Sequence, residues 1–470
     1  MTSSVAPLLQ PRDNFSSVKL LAESPGLDSI PSSYAYFNTH PHESIASDPQ
    51  VSIPVIDFSL LSSNNPDQRL QAIRDLGRAC QDWGFFMRVQ VVNHGIPESL
   101  MNAIFDVTNE FFNLAEEEKM GYETKHVLDP IRYGTSFNAS KEQIFLWRDF
   151  LKVFVHPDFH CPRSPRVFSE LLEEYAKRTR GVARELLGGI SQSLGLEEGY
   201  IAKLLDFDSG VQIYVANYYP PCPQPELAMG IAPHSDHGLL TLLLQNGVGG
   251  LQIQHNGTWV NVNALPNSFL VNTGDQLEIV SNGKYKSILH RAVVNNKMKR
   301  ISIAMVNGPS FDACVAPASP LLTGGHGNQI PGLYAPMKYR EYLEMQQGNK
   351  LDGKSCLDRV KAITREAREF ELGQSRYYAT LVSNAFLWQF FLLGAIGVTF
   401  LVSALLSGIV IATLLPVTES LAVLFFHERF PVEKGISLAL SLWGFLSYFY
   451  GELQEIKKKK KEVELGSVCT

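Results

Sequence analysis

The stretch IAPHSDHGLLTLLLQ (residues 231–245) joins a His-Ser-Asp triplet to an apolar run of strand length. The surrounding region repeats that strand character. From Val211 the apolar period is two, in short segments: VQIYVANYY (211–219), GLLTLLL (238–244), GLQIQ (250–254), TWVNV (258–262), FLVNT (269–273), KSILHRAVVN (286–295) and RISIAMVNG (300–308). Many short strands separated by Gly, Asn and Pro predict a barrel or jelly roll. HNG (255–257) and SNG (281–283) supply turn residues between strands. Upstream, helical apolar spacing predicts helices over 68–83, 97–120 and 166–206, with a short one at 18–23. Strands are predicted within VSIPVIDF (51–58) and through Val91 and Val92, and a closing helix near 351–362. The expected class is mostly β with an α scaffold.

His234 and Asp236 are two apart, so on one strand they share a face while Ser235 points away. His290 on a later strand adds a second imidazole. Two histidines and a carboxylate form a facial set that leaves adjacent positions open on iron(II). Arg300 and Ser302 repeat the two-residue spacing in an otherwise apolar segment, and a guanidinium beside a hydroxyl is a fork for a carboxylate. Asn217 and Tyr219, again two apart, could bind the same anion. A histidine taken alone is more often a hydrogen-bonded structural residue, which is the assignment for His94, His237 and His255. A zinc hydrolase could use the same three ligands, but it would leave Arg300 and Ser302 without a task.

In this order, IPVIDFS (53–59), WGFF (83–86), VVNHGIP (91–97), NYYPPCPQPELAMG (217–230), HSD (234–236), NTGDQLEIVSNGKYKSILHRAV (272–293) and RIS (300–302) closely resemble the plant 2-oxoglutarate- and iron(II)-dependent dioxygenases. That group includes flavonoid oxygenases and the downy-mildew-resistance type. The resemblance implies a double-stranded β-helix core, with iron on His234, Asp236 and His290 and no catalytic side chain beyond these ligands. It implies that Arg300 and Ser302 take the distal carboxylate of 2-oxoglutarate, supported by Tyr219 and Asn217. Oxygen is then the second cosubstrate and ascorbate the expected reductant, and a small metabolite is hydroxylated or desaturated with release of succinate and carbon dioxide. Phe150, Lys152, Val215 and Val306 are expected to border the substrate pocket, where Val306 cannot stack on a flavonoid ring as an aromatic residue would. The sequence also departs from the family: Met87-Arg88-Val89-Gln90 stands where a single residue is usual between WGFF and VVNHG. An odd insertion in a strand demands a bulge or impairs the strand.

The 470 residues exceed one ordinary core, and their 45% hydrophobic content conceals an internal shift. The net charge of −6 and the lack of a basic stripe in the first 350 residues argue against nucleic acid and for a small neutral or weakly acidic substrate. Six scattered cysteines and the absence of a signal-like apolar run near the start predict reduced thiols and a cytoplasmic oxygenase.

From Tyr377 to Thr418 there is no charged residue, and spans are expected near 383–403, 407–427 and 434–451. REAREFELGQSRYY (365–378), LLPVTESLAVLFFHERF (414–430) and GISLALSLWGFLSYFYGE (435–452) resemble the C-terminal end of plant purine permeases. About three transmembrane helices and membrane association of the tail are therefore expected. A purine-permease-type transporter is the competing function, represented only by a truncated fragment. Basic residues precede the first span and Lys457–Lys461 follow the last, so the positive-inside rule conflicts with an odd number of spans. An oxygenase joined to a transporter fragment, by gene fusion or by an error in joining neighbouring genes, accounts for both halves.

The expected organisation is an N-terminal extension (1–50), an N-terminal dioxygenase region (51–170), a helical scaffold (171–208), the iron and 2-oxoglutarate core (209–310) and a C-terminal oxygenase segment (311–362). A linker (363–382), the transmembrane fragment (383–451) and a basic tail (452–470) follow. Neither composition nor spacing predicts the oligomeric state.

Overall fold

A computed structural model describes residues 17–38, 54–81, 88–124, 126, 128–135, 144–255, 257–323, 330–348, 356–357, 359–361 and 374–401, with isolated positions beyond. The chain divides into two compact units, Met1–Glu366 and Ala367–Thr470.

In the first unit, the alternating segments form β5 (Gln212–Tyr219), β6 (Ile231–His234), β7 (Leu240–Gln245), β8 (Leu251–His255), β9 (Thr258–Val262), β10 (Phe269–Thr273), β11 (His290–Ala292) and β12 (Arg300–Asn307). Four strands from earlier in the chain join them: β1 (Val55–Asp57), β2 (Arg88–Val92), β3 (Ile131–Gly134) and β4 (Asp149–His156). They build an eight-stranded sheet, β1-β2-β10-β7-β12-β5-β4-β3, and a four-stranded sheet, β6-β11-β8-β9. β13 (Cys314–Val315) pairs with β14 (Met337–Lys338).

The outer face of the large sheet is covered by α2 (Pro66–Gln81), α3 (Glu98–Asn113) and α5 (Phe168–Ser193), with the short α4 (Glu116–Met120) and α6 (Tyr200–Leu204) following α3 and α5 in the chain. α5 buries Leu172, Tyr175, Ala176, Thr179, Val182 and Leu186, the three- and four-residue spacing that keeps one helical stripe against a core. Each fully buried leucine contributes roughly 2 kcal/mol. The Phe168 ring meets Tyr214 of β5 edge-on at 5.9 Å, and Phe111 of α3 meets Tyr133 of β3 at 6.1 Å.

Among the described residues, β2 pairs in continuous register with β1 on one side and β10 on the other. Gln90 is buried there and satisfied at both ends of its amide, accepting from Leu265 N at 2.8 Å and donating to Asn263 O at 3.4 Å. Residues 82–87 lie outside the described set.

Other differences have local causes. β4 is buried along almost its whole length, so its sequence shows no alternation for a period-two reading to find. α7 (Asp275–Val280) is a fully buried single helical stretch between β10 and β11, and α8 (Tyr339–Gly348) lies late in the unit. SNG is a turn, with Asn282 and Gly283 at positive φ of 53° and 74°, but it follows α7 rather than a strand. Of the closing helix near 351–362, residues 356–357 and 359–361 are described, and they are helical. The short helix α1 (Val18–Ala22) begins where expected.

In the second unit, α9 (Gln374–Leu401) exposes apolar side chains such as Phe386, Leu387, Trp388 and Phe390. It overlaps the first expected span, and among the described residues no helix is long and apolar enough to cross a membrane. The other two expected spans lie outside the described residues.

α1 is held by Asp149 of β4, whose buried carboxylate accepts from Ser17 Oγ at 2.8 Å, Val18 N at 2.8 Å and Lys19 N at 2.9 Å. Burial lifts the Asp149 carboxyl to about 6 against the pull of these donors. Asp149→Asn turns an amide against at least one donor and is expected to destabilise the chain by about 1–3 kcal/mol, read by denaturant unfolding. The raised value means that ionising Asp149 costs folded stability, a cost absent below its ordinary value of 3.8 and full above about 6. The difference in stability between wild type and the Asn variant should therefore change across that window and be flat on either side.

Candidate active site

The small sheet assembles the three predicted ligands. β6 and β11 are antiparallel neighbours, and His290 lies directly opposite His234. Asp236 lies just beyond the strand, since β6 ends at His234 and the chain bends at residues 237–239. The outcome is a compact group in which one ligating atom from each residue lies within 4.8 Å of the others. Asp236 Oδ1 is 3.6 Å from His290 Nε2 and 4.0 Å from His234 Nε2.

Both histidines are oriented by backbone. Nδ1 of His234 lies 2.9 Å from Ala232 O, and Nδ1 of His290 lies 3.1 Å from Ile288 O. A carbonyl can only accept, so each Nδ1 donates to it and each Nε2 faces Asp236, the orientation a metal ligand requires. Burial pushes the Asp236 carboxyl up, but His290, His234 and the amide of Asn272 outweigh it and hold it at about 2. It is therefore a carboxylate at any physiological pH.

The turn carrying Asp236 is clamped by the β10–α7 junction. Asn272 Nδ2 donates to Asp236 Oδ2 at 3.0 Å, Asp275 N donates to Asp236 O at 2.8 Å, and Gln276 N donates to Gly238 O at 3.0 Å. Gly274 sits against this turn so closely that a Cβ would collide with Gly238 O and come within 2.9 Å of Asp236 O. Asn272 and Gly274 stand in the NTGD motif, but spacing alone gave them no role.

The large sheet gathers the second predicted group. Arg300 is paired with Tyr219 and Ser302 with Asn217 across β12 and β5, so the four residues share one face. That face looks into the barrel: a Cβ at Gly230, beside β6, would strike the Tyr219 ring, and one at Gly250, beside β8, would lie 3.4 Å from Arg300 Cδ. Arg300 is 2% exposed. Its Nη2 donates to Gln245 Oε1 at 2.5 Å, its guanidinium lies 4.8 Å from the Tyr219 ring centre, and its Nε and Nη1 are buried with no hydrogen-bond partner among the described residues. Two unanswered donors on one guanidinium are costly unless a ligand supplies an acceptor, and a carboxylate is a strong acceptor for a guanidinium. Asn217 Oδ1 accepts from the buried Arg148, a partner the sequence reading missed.

The expected pocket residues lie on the same inward face. Phe150 is opposite Asn217, Lys152 is opposite Val215, and Val306 is opposite Ile213 and Thr241. Val306 also reaches the ligand turn, since a Cβ on Gly238 would lie 3.0 Å from its Cγ1. His94 is structural, with Nε2 3.1 Å from Asn267 O. His237 is held 2.9 Å from Tyr339 Oη, and burial with the nearby Lys152 charge lowers it to about 4.

Residues 210–309 match the 2OG-Fe(II) oxygenase superfamily, and residues 53–170 match the N-terminal region of the non-haem dioxygenases of morphine synthesis. Over 316 residues the chain is 48% identical to 2-oxoglutarate-dependent dioxygenase 19 of Oryza sativa subsp. japonica, covering 67% of this chain and 92% of that protein. The chain belongs to the 2OG-Fe(II) oxygenase superfamily. This oxygenase is also 40% identical over 343 residues to DMR6-LIKE OXYGENASE 2 of Arabidopsis thaliana, across 72% of this chain and 96% of the relative. Its fold is similar to the crystal structure of JOX2 in complex with 2OG, Fe and JA, with a TM-score of 0.66 and 30% identity over 74% of this chain and 98% of the other. It is a 2-oxoglutarate-dependent dioxygenase of small plant metabolites, and iron(II) and 2-oxoglutarate are its cofactor and cosubstrate. Residues 355–460 match a different family, described by purine nucleobase transmembrane transport.

Gly274→Ala displaces the turn that carries Asp236 without touching a ligand. It is expected to weaken metal binding at least about tenfold, measured by titration with iron(II) or manganese(II) under anaerobic conditions.

Proposed function

We propose that His234, Asp236 and His290 hold the iron, that Arg300 and Ser302 take the distal carboxylate of 2-oxoglutarate, and that Tyr219 and Asn217 line its side of the barrel. The observation that carries this reading is the buried Arg300 guanidinium with two unanswered donors, on the barrel that also holds the two-histidine, one-carboxylate group. A zinc hydrolase would need the same ligands but would leave those donors unexplained.

Iron(II), when bound, supplies the oxidative decarboxylation of 2-oxoglutarate with oxygen and the attack on a substrate C–H bond. The chain supplies orientation and exclusion of water. His234 and His290 donate from Nδ1 to backbone carbonyls, so both rings are held with Nε2 toward Asp236. Asp236 stays ionised, held by Asn272 and the clamped turn. Arg300 offers unanswered N–H donors and, with the Tyr219 ring on its face, orients a dicarboxylate. Phe150, Val215 and Val306 then border an apolar body, and Lys152 lies in the same row. Ascorbate serves as the reductant that keeps iron in the ferrous state. The oxygenase unit works in the cytoplasm, where 2-oxoglutarate and reduced iron are supplied.

The full chain supplied with iron(II), ascorbate and 2-oxoglutarate is expected to form succinate, stimulated by its substrate. His234→Ala should abolish succinate formation, whereas Arg300→Ala should raise the KM for 2-oxoglutarate at least about tenfold while iron is still bound. Unchanged KM in the Arg300 variant would remove the proposed anchor.

The reading extends to the tail. The match of residues 355–460 to a transporter family supports a membrane-associated fragment across 383–451, appended to the oxygenase and too short to transport alone. In cells expressing the full chain, the protein is expected to stay with membranes after alkaline carbonate extraction. Release into the supernatant would contradict the membrane assignment and leave the oxygenase reading intact.

A further inference from the structure

The segment that carries Asp236 is supported from a second direction. Asp236 lies beyond the last residue of β6, so a strand ladder does not hold it, and its place depends on what packs around it. Its two chain neighbours, Ser235 and His237, both lead to the late helix α8. Ser235 Oγ donates to Asp275 Oδ2 at 3.2 Å, and Tyr342 Oη donates to the same oxygen at 2.6 Å. On the other side, His237 Nδ1 lies 2.9 Å from Tyr339 Oη. Tyr339 and Tyr342 are three apart, so they are neighbours on one face of the helix.

Tyr339 and Asp275 are fully buried and Tyr342 is 1% exposed, so these hydrogen bonds are shielded from water and strengthened by it. Tyr339 passes close by the end of β12: a Cβ at Gly308 would collide with its hydroxyl and lie 2.7 Å from its Cζ. Backbone ties down the start of α8, with Tyr339 N donating to Ala313 O at 3.1 Å and Arg340 N to Phe311 O at 3.0 Å. Asp275 links the arrangement to the ligand itself, because its own N–H donates to Asp236 O at 2.8 Å. One residue thus holds the backbone of the ligand, the hydroxyl that precedes it and a tyrosine of α8. Packing of the helix needs only the two rings. It gives no reason for both hydroxyls to converge on the residues either side of one carboxylate.

We propose that Tyr339 and Tyr342 are positioning residues for the iron site, through which helix α8 sets the affinity of that site for a divalent cation. Tyr342 acts through Asp275, on Ser235 and on the Asp236 carbonyl. Tyr339 acts through His237. This rests on the reading that His234, Asp236 and His290 hold the iron.

The test is titration of the full chain with manganese(II), followed by electron paramagnetic resonance, with the Tm of the metal-free chain measured in parallel. Tyr342→Phe and Tyr339→Phe keep each ring and remove its hydroxyl. Each is expected to weaken manganese(II) binding about fivefold or more, less than the roughly 10–100-fold effect of losing a group bonded directly to a ligand. The control, Tyr214→Phe, removes an equally buried hydroxyl that lies 2.5 Å from Thr108 Oγ1 under the covering helices. It should lower Tm as the others do and leave manganese(II) binding within about twofold of wild type. Unchanged affinity in either α8 variant would overturn the assignment of that tyrosine, and an equal loss in Tyr214→Phe would overturn both by tracing the effect to stability. If Tyr342→Phe does not fold, Ser235→Ala, which removes another donor to the same Asp275 oxygen, decides by the same comparison. A wild-type chain that fails to bind manganese(II), or binds it no better than His290→Ala does, would instead remove the reading of the reaction centre beneath the proposal.

Discussion

The antiparallel pairing of β6 with β11 is the constraint on which the site depends. It sets His290 opposite His234, and backbone carbonyls then turn both imidazoles the same way. Asp236 joins them from just beyond the end of β6, where the β10–α7 junction packs on the segment through Asn272, Gly274 and Asp275. The ligand group is therefore a property of two sheet segments and one packed junction, not of a single strand. The larger sheet supplies a complementary surface, where cross-strand pairs bring Arg300 to Tyr219 and Ser302 to Asn217.

Much of this was legible in the sequence for physical reasons. Strands of the β region alternate because one face meets the barrel interior and the other the helices, so period two survives in β5 and β12. The two-residue spacing of Arg300 and Ser302, and of Asn217 and Tyr219, translates directly into a shared face. For His234 and Asp236 the strand itself ends at His234, two residues short of the carboxylate, yet both side chains meet at the same group. β4 was hidden because burial on both faces removes alternation, and α7 because six residues carry too little periodicity. The partners Arg148, Gln245 and Asn272 could not be found from spacing at all: each meets its counterpart through strand pairing or loop packing between distant segments.

Of the inserted residues, Arg88–Gln90 lie in β2 between β1 and β10, and Gln90 finds partners for both ends of its amide. The second unit follows other rules. Its described helix is apolar and exposed, and its sequence kinship points to a transporter family rather than to the oxygenases.

The central claim is that the two-histidine, one-carboxylate group binds iron and that Arg300 aligns 2-oxoglutarate beside it. Anaerobic addition of iron(II) and then 2-oxoglutarate to the full chain, followed by visible absorption, tests it most directly. The account predicts one iron per chain and a charge-transfer band that appears only with 2-oxoglutarate, is lost in His290→Ala, and needs a higher 2-oxoglutarate concentration in Arg300→Ala. Iron bound equally well by His290→Ala, or no band in the wild type at saturating 2-oxoglutarate, would contradict it.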